Sequence, residues 1–221
     1  MPGFKGFAGI KSVVCFALSL ADLGLDVELS SIMINVMQTL KDKKIRSKPY
    51  SLNKNKYLLD FEFDKLNQIL TSFEDQDIRN VLILKLALST GARATELLNI
   101  KINDLDIKSK SVFIYGIKGS NDREIPLETK LFVSLQKFIQ TEGKSERLFE
   151  ISYPRLVQIW LNYRPVQKSF HALRHTFAIR LYKKTRDIRL LQFALGHRNI
   201  ANTMIYADYV YSQEELRRLI L

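Results

Sequence analysis

The chain has one cysteine, Cys15, among 221 residues, so no disulfide can close within it and a cysteine-rich metal site is excluded. A reducing compartment suits that count, and a cytoplasmic protein is expected. Histidine is nearly as scarce: there are three, His171, His175 and His197. No apolar stretch reaches the eighteen or so residues of a membrane span. The run from Val13 to Ala21 meets Asp22 without a convincing small-residue cleavage site, so an export signal is not expected either. There is no internal repeat, no low-complexity segment and no Walker motif to cradle a nucleotide.

What is abundant is positive charge. Lys and Arg outnumber Asp and Glu by 34 to 23, a formal net charge of +11, and the usual partners of such a field are phosphates. The charge is also clustered. Seven basic residues and one acid lie between Lys41 and Lys56, and nine basic residues face only Asp187 between Arg155 and Arg189. A solvated face plus a solvated linker would explain one such stretch more easily than two. Lys41, Lys43, Lys44, Arg46, Lys48, Lys54 and Lys56 are therefore candidate DNA contacts.

With 46% hydrophobic residues the chain can pack one good-sized domain and a smaller piece. Apolar spacing predicts helices over 10–24 and 30–44, then a basic connector holding Pro49 and two asparagines, Asn53 and Asn55. From 59 onward it predicts helices at 61–72, 76–90, 93–99, 128–141, 153–163, 172–184, 187–195 and 213–220. Strands are expected at 111–116 and 123–127, around the turn-rich Gly119-Ser120-Asn121-Asp122. Ser212 and Glu215 form a capping box for the last helix. The expected fold is mainly α with a small β-hairpin or sheet, divided into a helical segment 1–44, a basic linker 45–58 and a main domain 59–221.

His171, Arg174 and His175 stand at i, i+3 and i+4, on one face of a helix. Alone, that triplet reads more readily as a cluster of solvated polar residues than as a catalytic group, and two imidazoles beside a guanidinium with no nearby carboxylate or thiolate make a poor zinc site. Its context is more specific. Phe170-His171-Ala172-Leu173-Arg174-His175-Thr176 resembles the His-x-x-Arg signature of the tyrosine recombinases (phage integrases). Leu195-Gly196-His197 resembles that family's Leu-Gly-His, and Tyr206 follows His197 by the nine residues that separate the family's nucleophile from it. Upstream, Gly91-Ala92-Arg93-Ala94-Thr95-Glu96-Leu97 is similar to the segment bearing the first catalytic arginine. Gly116-Ile117-Lys118-Gly119, followed by Arg123-Glu124-Ile125-Pro126-Leu127, is similar to the hairpin bearing the catalytic lysine, with Ile117 interrupting the common Gly-Lys-Gly. Lys108 and Lys110 are its alternatives.

The resemblance spans about residues 59–212 and implies a site-specific recombinase that forms a 3′-phosphotyrosyl intermediate without metal ion, ATP or other cofactor. It assigns catalysis to Arg93, Lys118, His171, Arg174, His197 and Tyr206, with Glu96 and His175 in support. The roles follow from phosphate chemistry. Guanidinium forks suit the charge built on non-bridging oxygens. An imidazole such as His171 can take the phenol proton, His197 can donate to the phosphate, and Lys118 can protonate the departing 5′ oxygen. Implied partners are double-stranded DNA and three further copies of the chain in a synaptic tetramer, and no membrane is implied; Leu216, Leu219, Ile220 and Leu221 offer either a docking face for that assembly or a face packed on the chain's own core. Residues 1–44 are too few for the family's full N-terminal clamp. A DNA-binding regulator descended from a recombinase and a type IB topoisomerase-like relaxing enzyme are the alternative classes.

Overall fold

The computed structural model describes residues 52–117, 119–142, 145–207, 217, 220 and 221, all within the unit Ser51–Leu221. The two expected helices before residue 45, the first half of the basic linker, and the C-terminal helix with its capping box lie outside the described residues, as do Lys118, Leu216 and Leu219. The described chain forms eight α-helices, a 3-10 turn at Ile102–Asp104 and one antiparallel three-stranded sheet. Among the described residues no helix is long and apolar enough to cross a membrane.

Helix α1 (Asp60–Ser72) opens on Asp60 and Glu62, acids that suit the positive helix N-terminus, and the Glu62 carboxylate accepts from the Leu59 amide at 2.8 Å. Its Leu66 and Leu70 are buried against the core. Helix α2 (Ile78–Thr90) buries Val81, Leu82, Ile83, Leu84, Leu86 and Ala87, too many apolar residues for one stripe. It is accordingly the central helix, packed on α1, α4 (Thr129–Glu142) and α6 (His171–Thr185). It stops at Gly91, whose left-handed φ of 60° favours glycine, and where a Cβ would sit 2.3 Å from the Phe177 ring. Helix α3 (Ala94–Leu98) follows at once.

In the sheet, β1 (Leu105–Asp106) pairs with β2 (Ser111–Ile114), which pairs with β3 (Arg123–Pro126) in the register Val112↔Ile125 and Ile114↔Arg123. Alternation turns Val112, Ile114, Arg123 and Ile125 inward. Strand β1 is a two-residue addition that the sequence pattern does not signal, because so short a strand shows no alternation. Helix α5 (Tyr153–Tyr163) carries Pro154 in its first turn and buries Trp160, whose Nε1 donates to the Lys168 carbonyl at 2.7 Å.

Helix α7 (Ile188–Leu195) starts at Asp187, whose carboxylate accepts from the amides of Arg189 and Leu190, and ends at Gly196 with φ 66°. Helix α8 (Ala201–Ala207) was not expected from the pattern between 198 and 212. At seven residues it is too short for a clear apolar stripe; its start is marked by the Asn199 side chain accepting from the Ala201 amide at 2.9 Å. A large core joins α1–α6 and the sheet. A second, smaller one gathers Leu52, Ala178, Ile179, Leu191, Leu195 and Tyr206 where α6, α7 and α8 meet.

Candidate active site

Three helix ends and the hairpin converge on one carboxylate. Glu96 on α3 is buried; its Oε1 accepts from Arg93 Nη1 at 2.8 Å, and its Oε2 accepts from the Arg93 amide at 2.9 Å and Arg123 Nη2 at 2.8 Å. Arg174 Nη1 approaches the same oxygen at 3.9 Å. Burial alone would raise the Glu96 pKa, but the Arg123 hydrogen bond and charge, the Arg93 amide and the Arg174 charge together hold it at about 2. One fixed negative charge therefore lies within reach of three guanidinium groups.

Arg174 is buried and almost fully committed. Its Nη1 donates to the Gly91 carbonyl at 2.7 Å, the carbonyl that the left-handed stop of α2 turns aside, and its Nη2 donates to the Leu195 carbonyl at 2.8 Å. Nη2 also lies 3.0 Å from His197 Nε2. Burial first, then the neighbouring Arg93 charge, brings its pKa to about 10 against the pull of Glu96. The Arg93 side chain is one-third exposed, and besides Glu96 its Nη1 reaches the Ser120 hydroxyl.

The hairpin loop is held against this centre. Ser120 bridges to His197, and the Asn121 amide donates to the Gly196 carbonyl at 2.9 Å. A Cβ on Gly196 would lie 2.6 Å from the Asn121 oxygen, so this approach requires glycine. Arg123, at the start of β3, is fully buried, and its Nε and Nη1 meet no hydrogen-bond partner among the described residues.

All three histidines are near the cluster. His171, the first residue of α6, faces solvent and packs edge-on against His175 with 4.6 Å between ring centroids. Its pKa is lowered by lost hydration, then by the charges of Arg174 and Arg93. His175 is buried, and its Nδ1 lies 2.9 Å from the Tyr206 hydroxyl. Burial, then His171, Arg174 and Lys56, holds its pKa at about 3. His197 falls to about 4 through burial and then Arg174, and its Nδ1 lies 2.9 Å from the hydroxyl of buried Thr203.

The described residues thus bring together Arg93, Glu96, His171, Arg174, His175, His197 and Tyr206. The sequence reading pairs the Tyr206 phenol with His171; in the structure the imidazole that meets it is His175, because i+4 on α6 points into the small core while the first residue of the helix faces out. Of the seven candidate basic DNA contacts only Lys54, exposed, and Lys56, close enough for its charge to act on His175, are described. Lys108 and Lys110 sit on the β1–β2 turn, where Lys110 reaches the Thr129 hydroxyl at 3.4 Å. The sequence reading passes over the site roles of Ser120, Arg123 and Thr203. Two of them carried a signal: period-2 alternation puts Arg123 on the inward face with Ile125, and Thr203 precedes Tyr206 by three, on the same helical face. Among the described residues no group of three or more His, Cys, Asp or Glu could hold a metal ion.

A mainly helical domain whose small sheet presses a hairpin against an Arg–Glu–His–Tyr cluster has the architecture of a tyrosine recombinase catalytic domain. The chain belongs to the phage integrase family, whose model matches residues 56–213. It is 31% identical over 192 residues to a tyrosine recombinase of Pseudothermotoga lettingae, covering 82% of this chain and 64% of that one. It is 30% identical over 189 residues to the tyrosine recombinase XerA of Pyrococcus horikoshii, covering 76% and 60%. The chain therefore spans less than two thirds of the length of these relatives. Among solved structures, XerA recombinase superposes with a TM-score of 0.61 at 25% identity, over 77% of this chain and 65% of that chain. XerH site-specific recombinase bound to its difH substrate after cleavage gives 0.61 at 25% identity, over 78% and 56%.

Proposed function

We propose that this chain cuts and rejoins double-stranded DNA at specific sites through a covalent bond between Tyr206 and a 3′ phosphate. The observation that carries the reading is the convergence of Arg93, His171, Arg174, His197 and Tyr206 from four separate segments around one buried, arginine-bound carboxylate. XerH, a neighbour at 25% identity, was solved on its DNA site, and the same class of partner is inferred here.

Arg93 and Arg174 bind the scissile phosphate and balance the charge that gathers on its non-bridging oxygens. Glu96 keeps both forks oriented; ionised throughout the working range, it positions the arginines and exchanges no proton. The phenol oxygen of Tyr206 attacks phosphorus, the bond from phosphorus to the 5′ oxygen breaks, and the 5′ oxygen leaves with a proton. Lys118, on the hairpin that Gly196 and His197 anchor, supplies that proton. His171, the more exposed of the paired imidazoles, takes the proton of the phenol once Tyr206 has left His175. His197 donates to the phosphate. A 5′ hydroxyl from a partner strand then reverses the steps, and the retained diester energy drives rejoining without ATP or metal ion. Lys54 and Lys56 continue the basic stretch that begins at Lys41, Lys43, Lys44, Arg46 and Lys48, and together they track the backbone. Residues 1–44 act as a partial clamp, and four copies assemble on two synapsed sites.

The test is to incubate the chain with sheared genomic or mobile-element DNA, denature, and sequence fragments that remain bound. The proposal expects a short recurring site whose 3′ phosphate is joined to Tyr206. Fragments without any shared sequence, or no covalent product, would contradict it.

A further inference from the structure

Resting on the strand-transfer reading above, we propose that Thr203 is a positioning residue for His197: its hydroxyl fixes the imidazole and allows the ring to exchange tautomers when a phosphate enters the site. A guanidinium only donates hydrogen bonds. With Arg174 Nη2 at 3.0 Å, His197 Nε2 must be bare and its lone pair occupied. The single proton of the neutral ring is then on Nδ1, where Thr203 Oγ1 accepts it at 2.9 Å. In that arrangement His197 has no proton to offer a phosphate.

A phosphate that draws Arg174 to itself leaves the bare Nε2 facing an oxygen, lone pair against lone pair. The conflict ends if one proton is lost from Nδ1 to water and one is gained from water at Nε2, so that the ring stays neutral and Nε2–H donates to the phosphate. Nδ1 then needs a donor. A hydroxyl can serve in both states, because rotation about one bond turns it from acceptor to donor. Thr203 has no exposed surface, so loss of this hydroxyl leaves Nδ1 poorly compensated. The placement also couples the ring to the nucleophile. Thr203 and Tyr206 are three apart on α8, and each bonds an imidazole, His197 and His175 respectively, so α8 rests on two hydroxyl–imidazole contacts.

The experiment uses the full chain with 15N-labelled histidine, as wild type, Thr203→Val and Thr203→Ser, titrated with inorganic phosphate. The wild type is expected to show His197 protonated on Nδ1 when free and on Nε2 with phosphate. Thr203→Ser keeps this exchange. Thr203→Val loses it, and on a nicked DNA site it forms the covalent product about tenfold or more slowly at saturating DNA, with unchanged affinity. If Thr203→Val fails to fold, Thr203→Ala is judged by the same two readouts. Wild-type exchange in the valine or alanine variant, a wild-type cleavage rate in either, or no response of wild-type His197 to phosphate overturns the assignment. If the wild type forms no covalent product on any DNA, the strand-transfer reading fails, while the tautomer measurement still decides the role of Thr203.

Discussion

The hydroxyl of Tyr206 lies 2.9 Å from Nδ1 of His175, and its ring is buried with Ala178, Ile179, Leu191 and Leu195. The proposed nucleophile is thus part of a small core, and its polar tip is held by a neutral imidazole. His175→Leu fills much of the space but removes this hydrogen bond, so the unfolding free energy should fall by roughly 1–3 kcal/mol. Urea denaturation measures it; an unchanged midpoint with an unchanged slope would show that the contact contributes nothing.

Glu96 anchors three arginines, one of which, Arg123, has no exposed surface. Glu96→Gln keeps the shape and removes the charge, leaving buried cations without their counterion. A loss of about 3–5 kcal/mol is expected, because breaking one side of a buried pair strands the other. Arg123→Met in the Glu96→Gln background should recover part of that loss. A double variant less stable than Glu96→Gln would contradict this account of the pair.

The shifted groups set the acid limit of stability. His175, at about 3, and His197, at about 4, have folded values below their ordinary 6.5, so the unfolded chain binds their protons first. Their contribution is present above pH 6.5 and is lost as pH falls toward 4. Near pH 5 two protons are at issue, a slope of roughly 2.7 kcal/mol per pH unit. Glu96, lowered from 4.5 to about 2, adds its own loss below pH 4.5. Urea midpoints between pH 7.5 and 4.5 should decline from about 6.5 downward, and His175→Leu with His197→Leu should flatten the decline. A wild-type midpoint independent of pH in that interval would mean the imidazoles are not held neutral.

Much of the fold is legible in the sequence where a segment is long and periodic. Helices α1, α2, α4, α5, α6 and α7 fall within two residues of the expected spans, and Gly91 and Gly196 mark two of their ends. Strand β1 and helix α8 escape because two and seven residues are too few to show a period. At the site, spacing brings out the residues of the His-x-x-Arg and Leu-Gly-His segments. It does not tell which imidazole meets Tyr206, since that depends on how α8 packs across α6. Arg123 is hidden for a related reason: a charged residue in a strand ordinarily faces water, and only the Glu96 carboxylate across the core makes its burial tolerable.

A nicked suicide substrate built on a trapped site tests most directly whether Tyr206 is the nucleophile. The nick lets the short strand bearing the 5′ hydroxyl diffuse away, so the cleaved state accumulates as a protein–DNA adduct that survives denaturant, in EDTA as in buffer. Tyr206→Phe removes only the reacting oxygen; it should lower adduct formation by about a thousandfold or more with DNA affinity nearly unchanged, whereas Tyr209→Phe and Tyr211→Phe should still react. Adduct formed by Tyr206→Phe at the wild-type rate would place the nucleophile elsewhere. No adduct from the wild-type chain on its own recovered site would make a DNA-binding regulator the better description.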